Sequence, residues 1–251
     1  WNIKNDFSYY PNTKHQIKFG SNYTYHKFNP TSFSGSYDDL ELEQVINYYA
    51  HEYGLYVNDE YSINDRLLVN LGLRYSGFIQ VGPFERHVKD NSGQIGQAST
   101  DTILQYDRGD VVETYGGLEP RFSFRYLIDE SSSLKFGFIQ NYQYLHLTSV
   151  ASSSLPTDVW LPSSDVVRPQ FGRQLSLGYY KNFANNKYET SAEFYYKTME
   201  NLVEYEESYI PGVAIGTENI DNNLTFGDGR SYGLELFLAK KIGALNGWIG
   251  Y

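Results

Sequence analysis

The sequence predicts an all-β chain, an antiparallel transmembrane β-barrel wall of about ten consecutive strands. Three observations carry that prediction. Apolar residues recur at every second position almost throughout, the period of a strand with two unlike faces. Tight turns and long loops alternate along the chain without exception. Aromatic residues, 25 Tyr, 15 Phe and 3 Trp among 251 residues, gather near the ends of the alternating segments.

The strands are expected at 1–10, 15–28, 48–61, 66–80, 117–128, 134–147, 173–183, 188–203, 230–241 and 245–251. The clearest alternation places Leu67, Val69, Leu71, Leu73 and Tyr75 on one face and Asn70, Gly72, Arg74 and Ser76 on the other. Phe122, Phe124 and Tyr126 likewise interleave with Arg121, Ser123 and Arg125. Ala192, Phe194 and Tyr196 interleave with Glu193 and Lys197, and Leu234, Leu236 and Leu238 with Gly233 and Glu235. Helix is expected only as a turn near Leu40–Tyr49, inside a loop.

The tight connections are Pro11–Lys14, Ser62–Asp65, Asp129–Ser132, Ala184–Lys187 and Ile242–Ala244. Each carries the Asn, Asp, Gly, Pro or Ser that turns require. The long ones are Asn29–Asn47, Gly82–Gly116, Thr148–Gly172 and Glu204–Gly229. Loops of this length without elements of their own are uncommon in a compact soluble domain. Short turns at one end and long loops at the other are what outer-membrane barrels show. A soluble sandwich would have shorter strands and loops of no set side. The aromatics then form girdles, because Tyr and Trp settle at the hydrocarbon–water boundary. Tyr9, Tyr10, Tyr48, Tyr49, Tyr179, Tyr180, Phe183, Trp248 and Tyr251 are assigned to them.

Composition removes several alternatives. A chain this aromatic is not disordered. With no cysteine there is no disulfide, thiolate metal site or cysteine nucleophile. The 30 acidic against 20 basic residues, a net charge of −10, argue against nucleic acid as a partner. No stretch reaches the roughly 18 apolar residues of a transmembrane helix, and no signal peptide opens the chain. The mean hydropathy of −0.50 fits a barrel with a polar lumen.

The stretch Gly117-Leu118-Glu119-Pro120-Arg121-Phe122-Ser123-Phe124-Arg125-Tyr126 resembles the Glu-Pro-Arg strand of TonB-dependent outer-membrane receptors. Ser133–Gly137 with Tyr142–Leu147, Leu155–Pro162 with Arg168-Pro169-Gln170, Gly178–Lys181, Ala192–Lys197 and Gly229–Leu236 follow in that family's order. The resemblance covers most of residues 48–251. It implies a barrel of about 22 strands closed by an N-terminal plug, with tight turns facing the periplasm and long loops facing outside. The implied function is energised uptake of a scarce, bulky nutrient: a siderophore, cofactor, oligosaccharide or peptide. A periplasmic energy-coupling protein would act through the N-terminal part. A surface lipoprotein lid would suit an oligosaccharide or peptide importer. Plug, coupling segment and final strands are not visible, so residues 1–251 read as part of one barrel domain.

The loop 148–172 offers the best substrate candidates. Trp160 lies between two prolines, with Asp158, Asp165 and Arg168 as polar partners; the plainer role for Trp160 is packing the loop on the barrel wall. His146 is expected on the lumen face near the outer rim, with a structural hydrogen bond as its default. Asp38, Asp39, Glu41 and Glu43 form an acidic run that reads as a solvated loop rather than a calcium site. Asp221-Asn222-Asn223 through Gly227-Asp228-Gly229 reads as turn chemistry. The histidines lack metal-site spacing, so neither metal nor cofactor is expected. Lys18, Glu52, Arg74, Arg125, Lys135 and Glu193 are assigned to the inner face, where the plug would meet most of them. Two other functions compete: a ten-stranded surface protease using Asp38–Asp39 with His146 or His51 as base, and a passive porin or adhesin.

Overall fold

The computed structural model describes residues 1–29, 47–89, 100–149, 158–207 and 219–251. Its strands are β1 (Asn2–Asn12), β2 (His15–Phe28), β3 (Tyr48–Asn64), β4 (Leu67–Val81), β5 (Phe84–Lys89), β6 (Thr100–Tyr106), β7 (Val111–Asp129), β8 (Ser132–Gln143), β9 (Leu145–Thr148), β10 (Val159–Pro162), β11 (Gln170–Phe183), β12 (Tyr188–Tyr205), β13 (Leu224–Lys240) and β14 (Gly247–Gly250). Ten form one antiparallel sheet in the order β1-β2-β3-β4-β7-β8-β11-β12-β13-β14. These are the ten strands that the alternation predicts. β1 and β14 are its two edges and do not pair with each other.

The tight turns share a device. Asn12 Oδ1 accepts the amides of Lys14 and His15 at 2.8 and 3.1 Å. Asn64 Oδ1 accepts those of Arg66 and Leu67, both at 2.9 Å. Asp129 Oδ1 accepts the Ser131 amide at 2.7 Å. In each, a short side chain two residues upstream stands in for a backbone acceptor. The Ala184–Asn186 turn instead takes positive φ, at 53°, 55° and 60°, which asparagine tolerates well.

The sheet faces are unlike. One row runs Val69–Phe124–Phe136–Leu177–Phe194–Leu234 across six strands. Phe7–Phe19–Val57–Leu73 forms another. Many of these large apolar side chains are exposed, Leu177 at 45%, as expected where lipid is the solvent. Outward residues on β11 read Arg173, Leu175, Leu177, Tyr179, Lys181. Eight residue steps of about 3.4 Å, tilted by about 40°, span about 21 Å between the two cations, close to the apolar band of an outer membrane.

The opposite face is polar and holds the predicted inner charges. Arg74 Nε lies 3.7 Å from Glu119, Glu52 accepts His26 Nε2 at 3.0 Å, and Lys135 Nζ sits 3.9 Å from the Tyr180 ring centroid. Lys18 pairs with Asn58, Arg125 with Lys135, and Glu193 with Gly178. Lys4, Asn22, Tyr56, Asn58, Arg74 and Arg121 line a groove on this face.

Four expectations need correction. The segment 82–116 carries the β5–β6 hairpin, and β9 pairs with β10 across the 148–172 loop, so two long loops have elements of their own. The predicted strand 134–147 breaks at Tyr144, which turns inward and stacks on Phe78 at 5.3 Å. Tyr48 is no girdle residue: it shares a face with Ala50 and is buried in a loop core. Tyr180 also faces inward, over Lys135. The helical turn expected near Leu40–Tyr49 lies outside the described residues up to 46, and Tyr48 and Tyr49 are strand.

Candidate functional site at the long-loop end

The Glu-Pro-Arg strand positions the floor of the site. Proline has no N–H to give a ladder, and the pairing of β7 with β8 runs only as far as Arg121. Beyond it, side chains replace ladder bonds. Gln140 Nε2 donates to the Leu118 carbonyl at 3.0 Å, and Glu119 Oε1 accepts the Tyr142 amide at 3.4 Å. The splay seats the Tyr142 ring against Gly117, where a Cβ would collide with it. Glu119, 3% exposed, also accepts Ser76 Oγ at 2.6 Å and faces Arg121 Nη2 at 3.5 Å. Ser76 Oγ in turn bonds Tyr144 Oη at 2.8 Å. The carboxylate therefore ties two inner-wall guanidiniums to the aromatic pair Phe78–Tyr144. Glu119→Gln keeps a hydrogen-bonding oxygen but removes the charge. It should cost about 1–3 kcal/mol, read as a lower urea midpoint in lipid vesicles with no change in slope.

Above this floor the described parts of three long loops, 82–89 with 100–110, 144–149 with 158–169, and 206–207 with 219–223, meet around Arg86. Its guanidinium is 2% exposed and grips Asp221 with two bonds of 2.9 Å. Its Nη2 also donates to Asp165. Asp221, in the short 3-10 turn Ile220–Asn223, accepts Ser164 Oγ at 2.6 Å and Tyr48 Oη at 3.3 Å. Burial alone would lower the Arg86 pKa, but Asp221 and Asp165 outweigh it and raise the value, so the cation is fixed. Asn219 accepts the His87 amide at 2.8 Å and donates to the Glu85 carbonyl at 2.9 Å. Asn222 donates to the His87 carbonyl at 2.6 Å. An apolar cluster of Tyr48, Phe84, Leu161, Val167, Tyr205 and Leu224 packs among the same loops.

The predicted site residues fall around this node in different ways. Asp165 joins it directly. Arg168, three residues further on, is exposed. Tyr115 Oη donates to the Ser164 carbonyl at 2.8 Å. Asp158 is half-buried at the start of β10. Trp160 does not pack the loop on the wall: it is 54% exposed, opposite the exposed Leu147. Its neighbour Leu161 does that packing, because adjacent strand residues take opposite faces.

His146 is buried, with Ser163 Oγ 3.0 Å from Nε2. Burial lowers its pKa to about 4. The native state thus keeps the ring neutral while the unfolded chain binds a proton near 6.5, so this contribution is full above pH 6.5 and is lost as pH falls towards 4. The β9–β10 hairpin should lose about 2 kcal/mol at pH 5 relative to pH 7, seen as faster loop proteolysis. A His146→Gln variant should show no such pH step.

Arg86 and Asn219 were not singled out from sequence, where Tyr48 reads as a girdle aromatic and Asp221 as turn chemistry. No local signal marks them, because their contacts span up to 173 residues of chain. The protease constellation finds no support. His51 bonds Tyr23 at 2.7 Å, His146 bonds Ser163, and Asp38 and Asp39 lie outside the described residues, as do Glu41 and Glu43. Among the described residues no group of three or more His, Asp or Glu could hold a metal.

Comparison with known proteins supplies the family. A model described as TonB dependent receptor-like, beta-barrel matches residues 1–251. The chain is similar to the FrpB iron transporter of Neisseria meningitidis (F5-1 variant), at 14% identity, covering 99% of this chain and 35% of that one, with a TM-score of 0.62. It is similar to the copper transporter OprC at 13% identity, 99% and 38% coverage and a TM-score of 0.61. It is also similar to the pyoverdine outer membrane receptor FpvA of Pseudomonas aeruginosa, at 12% identity, 100% and 35% coverage and a TM-score of 0.56. No curated relative matches the sequence. The chain spans little more than a third of these structures, and identity this low speaks for the fold alone. With the family model covering every residue, the chain belongs to the TonB-dependent receptors, as part of their outer-membrane β-barrel.

Proposed function

We propose that the protein carrying this chain imports a scarce, bulky nutrient across the outer membrane, without catalysis. Three long loops joined above a polar inner wall carry the reading: a shaped mouth leads to a hydrophilic path. Trp160, exposed in the loop that also carries Asp158, Asp165 and Arg168, offers the ligand an aromatic surface, while buried His146 supports the hairpin beneath. A plug ahead of this segment would close the barrel and hand energy from a periplasmic coupling protein. A surface lipoprotein lid would belong to the oligosaccharide or peptide versions of this function. FrpB is an iron transporter, OprC a copper transporter and FpvA a pyoverdine receptor, so iron and copper chelates are the first compounds to test.

The test is growth of a strain lacking the full-length protein, with each chelate, cofactor, oligosaccharide or peptide as sole source. Loss of growth on one class, restored only when the coupling protein is also present, is expected. Restoration without the coupling protein would make the barrel a passive porin. Undiminished growth on every class would overturn the import reading.

A further inference from the structure

We propose that Arg86 makes the three loops of the outer mouth one cooperative body that opens and closes as a unit. The claim goes beyond import and holds whatever is transported. Loops of a barrel need share nothing but their anchoring strands, and each would then open alone. Here one guanidinium contacts carboxylates from two other loops, Asp221 and Asp165. Asp221 binds a hydroxyl from the third loop, Ser164, and one from the wall, Tyr48. Asn219 and Asn222 stitch the β5 backbone to the Ile220–Asn223 turn on either side of that contact. Phe84, Leu161, Val167 and Leu224 then bury one apolar cluster drawn from all three loops or their shoulders. Moving the Arg86 loop or the Asp221 loop strands a buried charge on the other, and moving the 144–169 loop strips Asp165 from Arg86 and the Ser164 hydroxyl from Asp221, so partial opening leaves the buried pair short of partners in an apolar setting. The all-or-none alternative keeps charges paired until water reaches all of them, which is how cooperative local units arise.

The structure supplies its own reporters. The amides of His87, Ser164, Val167 and Asn222 are hydrogen-bonded within the node. Hydrogen exchange on the full-length protein in lipid, at rising urea, should give these amides one common free energy of opening. It should differ from that of the β3, β4 and β12 wall. Asp221→Asn should speed exchange in 84–87, 163–167 and 219–223 together, by at least about tenfold, with the wall unchanged. Separate opening free energies in the unmodified protein, or acceleration confined to 219–223 in the variant, would overturn the proposal. If Asp221→Asn also loosens the wall, Asn219→Ala decides by the same criterion, because it removes hydrogen bonds without freeing a charge.

Discussion

Replacing Arg86 with alanine should cost about 3–5 kcal/mol of stability at the outer mouth, the penalty of breaking a buried pair on one side. Asp221 would keep Ser164 and Tyr48 as donors but lose the cation that it contacts among the described residues, and it is 2% exposed. Its charge would have to be neutralised or reach water, and water reaches it only if the loops part. Limited proteolysis of the full-length protein in vesicles should therefore cut the loops at least about a hundredfold faster, with the wall strands protected. Double replacement, Arg86→Met with Asp221→Leu, should recover much of the loss, because a buried ion pair and well-packed apolar residues of similar volume are often close in free energy. Recovery will be partial, since Asn222 loses its contact with Arg86 at 3.4 Å and Ser164 loses its acceptor. Arg86→Lys should not substitute: one ammonium cannot reproduce the two parallel bonds to Asp221.

The wall was legible in the sequence and the mouth was not, for a physical reason. A strand facing lipid on one side must alternate, so Leu175, Leu177 and Tyr179 announce their face within five residues. The turns are equally local, since Asn12, Asn64 and Asp129 act on amides two or three residues away. The mouth is built from contacts at long separation, Arg86 to Asp221 across 135 residues, and no period encodes them. The β5–β6 hairpin shows the same limit. Its alternation, with His87 opposite Ile103 and Arg86 opposite Leu104, has no constant apolar face, because one side packs against other loops rather than lipid. Asp165 and Arg168 were singled out because charges in a proline-bearing loop stand out. Asp221 was read as a turn residue, which it also is. Glu119 was found only as part of a motif; its work on Ser76, Tyr142 and the two arginines follows from the proline after it.

A charge on the lipid face should be the second severe change, and Leu177→Arg is its cleanest form. Leu177 sits on the central strand β11, midway between Arg173 and Lys181 on the outward face. Phe136 and Phe194 flank it directly, so no carboxylate lies opposite to receive a new cation. An arginine at the bilayer midplane of a barrel costs about 2–4 kcal/mol. Snorkelling would offer little relief, since the outward positions two residues away are Leu175 and Tyr179. Ser176→Arg is the matched control: one residue along, it turns inward beside Gly137 and Gln174 and should change stability by less than about 0.5 kcal/mol. Urea unfolding in lipid vesicles, followed by tryptophan fluorescence, gives both values. Equal costs at 176 and 177 would mean that the two faces see the same solvent, and the barrel assignment would fail on the wall itself. A steep cost at Leu177 alone fixes which face meets lipid, independently of every relative. It also puts the Arg173–Glu200 pair, 3.8 Å apart, at the long-loop end of the lipid face.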